Sequence, residues 1–326
     1  MSRTYQVLVW ITLLVKLVHS FNWDIVIEAR NKLVFYNNGA VSHVEDFGAD
    51  LYIKDFTHDV LHNRLLLSDR KKTRDHIIYS FNIATKEILP LVKRRFDLGY
   101  LQMTCSLVYD PVTEILFWSD IQAIYWFSLK SGFVNNAYGT TLFVFDDSTP
   151  NTLAVDSCKG YIYWSNMNVR GSSSIEMARF DGAERKLVID GNMRTVYNLV
   201  IDQNTQRMYW TDDVFERKRG GISHFFVRSA DLNGENKRIL YIDTEKNQPR
   251  ALTVSKDSLY WVPSFDLTNN IWQLPKNPTK GKDTTPSAIK VSGWLSNNIV
   301  ANYNIEDQIQ GIQDCESLRN LLPKQK

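Results

Sequence analysis

Carboxylates and hydroxyls recur through this chain beside large aromatics. LFWSD (residues 116–120), YIYWSN (161–166) and MYWTDD (208–213) each set one or two rings before a hydroxyl and a carboxylate or carboxamide. Four further aspartates, Asp59, Asp110, Asp156 and Asp202, stand 51, 46 and 46 residues apart. Oxygens brought together would suit a divalent cation, and paired carboxyls would suit acid–base work. His58 and His62 have the i, i+4 spacing that serves a metal when it falls on a helix. All of these readings require convergence. Asp146-Asp147 and Asp212-Asp213 lie in no DxDxDG-like loop, and the chain holds no HExxH, GxSxG, Walker-type or CxxC motif. The expectation is a non-catalytic protein, with no catalytic residue, metal ligand or cofactor assigned.

The spacing points to a repeated element instead. FTHDVLHNRLLLSD (56–69), LVYDPVTEILFWSD (107–120), LAVDSCKGYIYWSN (153–166), LVIDQNTQRMYWTD (199–212) and LTVSKDSLYWVP (252–263) align on Leu67, Trp118, Trp164, Trp210 and Trp261. In the first four copies the Asp stands eight residues before the anchor, closing one apolar strand ahead of a turn and a second strand. Further apolar stretches and the turns Leu129-Lys130-Ser131-Gly132, Phe180-Asp181-Gly182 and Leu232-Asn233-Gly234 make each unit four strands. A period of this size without long amphipathic helical runs is that of a propeller blade. The fold expected is all-β: one six-bladed β-propeller over residues 21–312. Trp23–Phe35 and Ala288–Ala301 supply the sixth blade from both termini, closing the ring and leaving no open sheet edge.

In a strand alternate side chains face opposite ways, so Tyr209 and Thr211 face one neighbouring blade while Trp210 and Asp212 face the other. Packing between blades must recur around a ring, whereas a site need not. Trp118, Asp120, Tyr163, Trp164, Tyr209, Trp210, Asp212 and Trp261 are therefore read as structural, with Asp120 and Asp212 accepting from turn amides and Asn166 replacing one such acceptor. The same register puts His58 and His62 in an exposed loop. Leu67-Ser68-Asp69 lacks the aromatic and Trp261-Val262-Pro263 lacks the carboxylate, which marks two blades where binding could differ.

These repeated strings resemble the YWTD, or class B, repeats of the low-density lipoprotein receptor family, which implies the propeller fold, clearly over residues 56–263. WDIVIEARNKLVF, LVYDPVTEILFWSD and AVDSCKGYIYW are similar to the ectodomain of the insect cueball family, in which the propeller precedes cysteine-rich modules and a membrane span. The single-domain architecture also resembles the lepidopteran ommochrome-binding proteins, which implies carriage of an aromatic pigment.

At the N-terminus Arg3, the apolar run Val7–Val15 and the small residues before Phe21 read as a signal peptide over residues 1–20, giving a secreted, extracellular chain with no stable membrane anchor. Its removal takes Arg3 and Lys16 from the 38 cations, leaving 36 against 36 acids, and a neutral protein has no long-range attraction for nucleic acid or anionic lipid. A monomer is expected. Of the three cysteines, Cys105 and Cys158 fall roughly 15 Å apart on strand spacing, beyond the ~7 Å a disulfide spans. Cys158 with Cys315 is the better pair, tying the tail, residues 313–326, beneath the ring and leaving Cys105 a buried thiol.

The second strand of each blade runs toward the face where the hairpin tips and inter-blade loops gather. Tyr100, Met167, Asn168, Tyr197, Phe215, Arg250 and Phe265 collect there, and Tyr100, Asn168, Tyr197, Phe215, Arg250 and Phe265 are the ligand-binding candidates. Aromatics with Arg and Asn around a shallow funnel suit a small aromatic ligand, through stacking and cation–π contact, or an anchor on an extracellular protein. The first reading expects a pocket closed at one end, the second an open polar face. A calcium-dependent hydrolase comes third, because Asp59, Asp110, Asp156 and Asp202 close strands at the far end from the funnel and suit turns.

Overall fold

The computed structural model describes residues 22–29, 31–71, 74–98, 102–130, 138–169, 171–216, 222–243, 248–264, 270–277, 285–291, 298–309 and 315–321. Six antiparallel four-stranded sheets form a propeller. The innermost strands, in ring order, are Ile299–Ala301, Ile53–Asp59, Ser106–Asp110, Ser148–Asp156, Thr195–Asp202 and Gln248–Val254. Blade one combines Ile299–Ala301 with Ile25–Ala29, Lys32–Asn37 and Ala40–Asp46, so strands from both ends of the chain close the ring as expected. The stretch read as one, Ala288–Ala301, divides: Ser287–Lys290 is the outer strand of blade six, and Ile299–Ala301 crosses to blade one.

The anchors lie between blades. Trp118, Trp164, Trp210, Trp261 and Leu67 are at most 2% exposed, and each packs against the blade before its own. Tyr209 and Tyr163, one residue earlier, pack against the blade after, as strand alternation requires. Burying one such ring removes ~150–250 Å² from water, about 4–6 kcal/mol before conformational entropy is subtracted. Gly139 covers Trp118 closely: its φ is +71° and a Cβ there would lie 2.1 Å from the indole.

The carboxylates of the string behave less uniformly than expected. Asp120 accepts from the amides of Gln122 and Ala123 at 2.9 and 2.8 Å. Asp212 accepts instead from the Trp210 indole at 2.7 Å and lies 3.0 Å from Arg228 Nε. Its hairpin, Arg207–Glu216 with Ile222–Asp231, continues four residues beyond it, so no turn follows Asp212, and Asp213 receives the Thr195 amide at 3.0 Å. Asn166 donates to Glu176 at 2.8 Å, and its Oδ1 accepts from no described donor. That hairpin too runs on past the string, to Asn168.

At the lower end the four aspartates close their strands, wholly buried, on turn amides and hydroxyls. Asp110 takes Thr113 N at 2.7 Å, Asp156 takes Cys158 N at 3.0 Å, and Asp202 takes Asn204 N at 3.2 Å. Asp59 takes His62 N at 3.3 Å and Arg64 Nε at 2.7 Å. Beneath them the chain continues from the closing strand into two short helices, α1 (Ile305–Ile309) and α2 (Glu316–Arg319). Ile305, Ile309 and Leu318 bury against Val60, Val112 and Cys158, residues of three successive turns. The Cys158–Cys315 disulfide is formed, with Cα atoms 4.9 Å apart, and Cys105 is free. Among the described residues no helix is long and apolar enough to cross a membrane.

Candidate binding mouth of the central channel

The inner strands surround a channel of about 220 Å³, lined from Asp55 and Ser106 above to Tyr303 and Gln308 below. Tyr303 donates to Asp202 at 2.9 Å, and Lys276 reaches the same carboxylate at 2.7 Å. The lower end is thus occupied by the C-terminal segment.

The upper end opens into a second cavity of about 210 Å³. Its construction follows from a defect repeated in the inner strands. Pairing with the second strand slips between Ile53 and Asp55, Pro150 and Leu153, Val196 and Asn198, and Pro249 and Ala251. A bulge leaves a residue unpaired and re-aims its side chain. Lys54, Asn151 with Thr152, Tyr197 and Arg250 are the residues passed over, and all five line the cavity. Cys105 stands at the same place ahead of Ser106–Asp110, and Asn298 precedes the closing strand. Each blade therefore contributes one of Lys54, Cys105, Asn151, Tyr197, Arg250 and Asn298.

One residue further on, the inner strands lock to one another. Leu107 N donates to Asp55 at 2.7 Å, Leu153 N to Ser106 at 3.1 Å and Leu199 N to Thr152 at 3.2 Å, each from the next blade. Ala301 N donates to Thr253 at 3.0 Å, and the Asn298 amide donates to Lys54 O, carrying the chain of bonds across the closure. The Ser of the repeated string holds the bulge: Ser68 Oγ accepts from Asp55 N at 3.0 Å, and Ser165 Oγ from Thr152 N at 3.2 Å. The mouth residues of blades two to five thus stand directly on a collar of bonds between neighbouring inner strands.

Burial sets the electrostatics. Asp55, enclosed by the collar, has its carboxyl pushed up to about 7, and backbone amides and Lys54 offset part of that rise. Burial raises the Cys105 thiol to about 11, and burial followed by the Asp213 charge raises the Tyr197 hydroxyl to about 12. Lys54 and Arg250 have no carboxylate within salt-bridge distance among the described residues; Arg250 Nε reaches only Gln248 Oε1, at 3.5 Å.

Of the candidates read from the sequence, the structure brings Tyr197 and Arg250 together in the mouth. Asn168 is exposed on the tip of the blade-four hairpin, bonded to Ser172 at 2.6 Å and away from the cavity. Tyr100 and Phe265 lie outside the described residues, as does the side chain of Phe215. His58 is not in a loop: it lies within Ile53–Asp59 and lines the channel 4.9 Å from the Trp23 ring, where burial lowers it to about 4. Cys105 is half-buried at the mouth rather than in a core. The sequence reading missed Lys54, Asp55, Asn151 and Asn298. A signal for three of them was present: counting back four and five residues from Asp59, Asp110, Asp156 and Asp202 gives Asp55, Ser106, Thr152 and Asn198, and Lys54, Cys105, Asn151 and Tyr197.

The fold and this mouth define a six-bladed propeller with a sealed lower end and a polar upper one. The chain is 26% identical over 276 residues to the cueball protein of Drosophila grimshawi and 24% identical over 311 residues to that of Drosophila virilis, spanning 82% and 91% of this chain. Those stretches are 42% and 46% of the two proteins, so the chain spans about half the length of the curated relatives it matches. No protein-family model matches it. Among solved structures, a chain of the nidogen–laminin complex superposes with a TM-score of 0.51 at 18% identity, covering 86% of this chain and 82% of that one, a likeness of fold.

Proposed function

We propose that the chain is a secreted, non-catalytic binding propeller that holds an extracellular protein at its upper mouth. One observation carries this reading. The anchors and the turn aspartates repeat in most blades, yet the corresponding position at the mouth varies over four chemistries in six blades: Lys54, Cys105, Asn151, Tyr197, Arg250 and, from the closing blade, Asn298. A scaffold position repeats, whereas a recognition position need not. Secretion is supported by the apolar N-terminal run and by the Cys158–Cys315 disulfide, a bond of oxidising compartments. The cueball likeness and the nidogen–laminin complex, in which a chain of this fold was crystallised with a protein partner, favour a protein over a small ligand. An ommochrome-like pigment would find a single ring, Tyr197, among the described residues of the mouth, and stacking between two rings would not be available.

The test is capture from native extracellular fluid by the immobilised protein, beside a Tyr197→Ala, Arg250→Ala variant and a Lys256→Ala variant at the lower end. A partner retained by the wild type and by Lys256→Ala, and lost by the mouth variant, is the expected result. Retention by all three would place the contact elsewhere. Quenching of tryptophan emission by ommochromes, abolished by the mouth variant, would return the site to a small aromatic ligand.

A further inference from the structure

The mouth is charged unevenly. Its two described cations, Arg250 of blade six and Lys54 of blade two, flank Asn298 of blade one, so positive charge gathers over one half of the ring. The remaining places, Cys105, Asn151 and Tyr197, are uncharged side chains able to hydrogen-bond, with Ser106, Thr152 and Asn198 one step deeper. Neither cation has a described carboxylate within salt-bridge distance, although the Lys54 charge is felt at Asp55. Among the described residues Asp55 is the one acidic member of the lining, and both its oxygens are engaged: Oδ1 by the Phe56 amide at 2.8 Å and Oδ2 by Leu107 N at 2.7 Å.

We infer that this half of the mouth is a carboxylate pocket, which on the reading above receives an Asp, Glu or C-terminal carboxylate of the partner between Arg250 and Lys54. The guanidinium offers a planar fork that matches two carboxylate oxygens, and Lys54 adds a point charge. One of the two amide hydrogens of Asn298 is committed to Lys54 O, which fixes the Lys54 backbone beside the pocket. A cationic guest would meet two like charges, and an apolar one would leave both cations desolvated without a partner, at a cost of several kcal/mol. Asp55 lies beneath the pocket, so its ionisation opposes an incoming anion, whereas its protonated form does not.

Cys105, the single free thiol of the chain, lines the same cavity and serves as a reporter. Its thiolate displaces iodide from iodoacetate, which carries a carboxylate, and from iodoacetamide, which does not. The ratio of the two rates cancels the thiolate fraction. At pH 8 and low salt the iodoacetate-to-iodoacetamide ratio for Cys105 should exceed that of a free thiol by about tenfold and fall toward it as salt rises. Lys54→Met with Arg250→Met should remove the excess, while Asp55→Asn should increase it. A wild-type ratio at or below the free-thiol value overturns the pocket, and that measurement does not depend on any variant folding. Protection of Cys105 by a capped Asp-containing tripeptide better than by acetate assigns the carboxylate to a protein. Better protection by acetate assigns it to a small acid. Failure of both agents to protect overturns the pocket even where the ratio is high. Loss of the pocket leaves mouth-dependent protein capture standing, and loss of capture leaves the Cys105 chemistry standing, so the two readings fail separately.

Discussion

The two ends of the channel are built from the same six strands and have opposite characters. At the lower end Asp59, Asp110, Asp156 and Asp202 are wholly buried, each with donors fixed by its turn, and the C-terminal helices and a disulfide lie across them. At the upper end four of these strands carry a bulge, and Lys54 and Arg250 have no carboxylate within salt-bridge distance among the described residues. The turn at the end of an inner strand needs an acceptor wherever it occurs, so its residue recurs. The bulge needs only a re-aimed side chain, and its identity is free to vary. Stability should therefore respond at the lower end and binding at the upper.

The largest response is expected from the disulfide. Cys158 and Cys315 are 157 residues apart, and cross-linking so long a loop restricts the unfolded chain by up to about 5 kcal/mol. Cys158→Ser with Cys315→Ser should lower unfolding free energy by about 2–5 kcal/mol in urea, and the Cys105 rate ratio of the folded variant should stay at the wild-type value. A lost ratio would mean that the two ends are coupled.

Lys276→Met comes next. Lys276 and Asp202 are 4% and 0% exposed and form the ion pair that joins blade six to blade five beside Tyr303. Removing the cation leaves a buried carboxylate that retains Tyr303, Asn204 and Thr205 as donors, so a loss of about 3 kcal/mol is expected, near the lower bound for breaking such a pair. Equilibrium unfolding measures it. A loss below about 1 kcal/mol would show that those donors suffice.

The difference between the ends also explains what the sequence reveals. The lower end is periodic: Asp59, Asp110, Asp156 and Asp202 recur at a countable interval, and the Cys158–Cys315 pairing follows from where two strands end. The upper end lacks that periodicity, and residues there look unremarkable singly. Tyr197 and Arg250 attract attention as an aromatic and a cation, whereas Asn151 and Asn298 read as ordinary loop residues because a bulge has no signature in one strand alone. His58 was misplaced for a related reason, since strand Ile53–Asp59 lacks clean alternation and its burial varies along its length. Asp212 and Asn166 look like Asp120 in sequence, and they differ because their hairpins extend past the usual turn, a property of the following residues.

The pH response separates two groups within the channel. Asp55 is raised to about 7 in the folded protein, so the stability associated with its protonated form is present below the unfolded value near 4 and is lost as pH rises through 7. His58 is lowered to about 4, so its contribution is present above the unfolded value near 6.5 and is lost as pH falls through 4. These limbs oppose each other between pH 4 and 7, and Asp212, raised to about 6 by burial, follows Asp55 over much of that range. Subtracting the stability of Asp55→Asn from that of the wild type isolates one limb. Because Asp55 is only half-buried, that difference should decline by about 1–2 kcal/mol from pH 4 to pH 8, less than the full shift implies. A flat difference would mean that water at the mouth screens Asp55 completely.

The smallest effect on stability makes the sharpest contrast. Arg250→Ala removes a cation, as Lys276→Met does, but from the opposite end of the ring, where the only described partner is Gln248 at 3.5 Å. A side chain so weakly held contributes within about 0.5 kcal/mol of zero to folding. Urea unfolding of Arg250→Ala should therefore overlay the wild type, while the iodoacetate-to-iodoacetamide ratio at Cys105 falls about threefold, since one of two charges is gone. A loss of 2 kcal/mol or more would assign Arg250 to the collar that holds the blades together. The bulge would then be a second structural position whose residue happens to vary, and the division between a stabilising end and a recognising end would no longer hold.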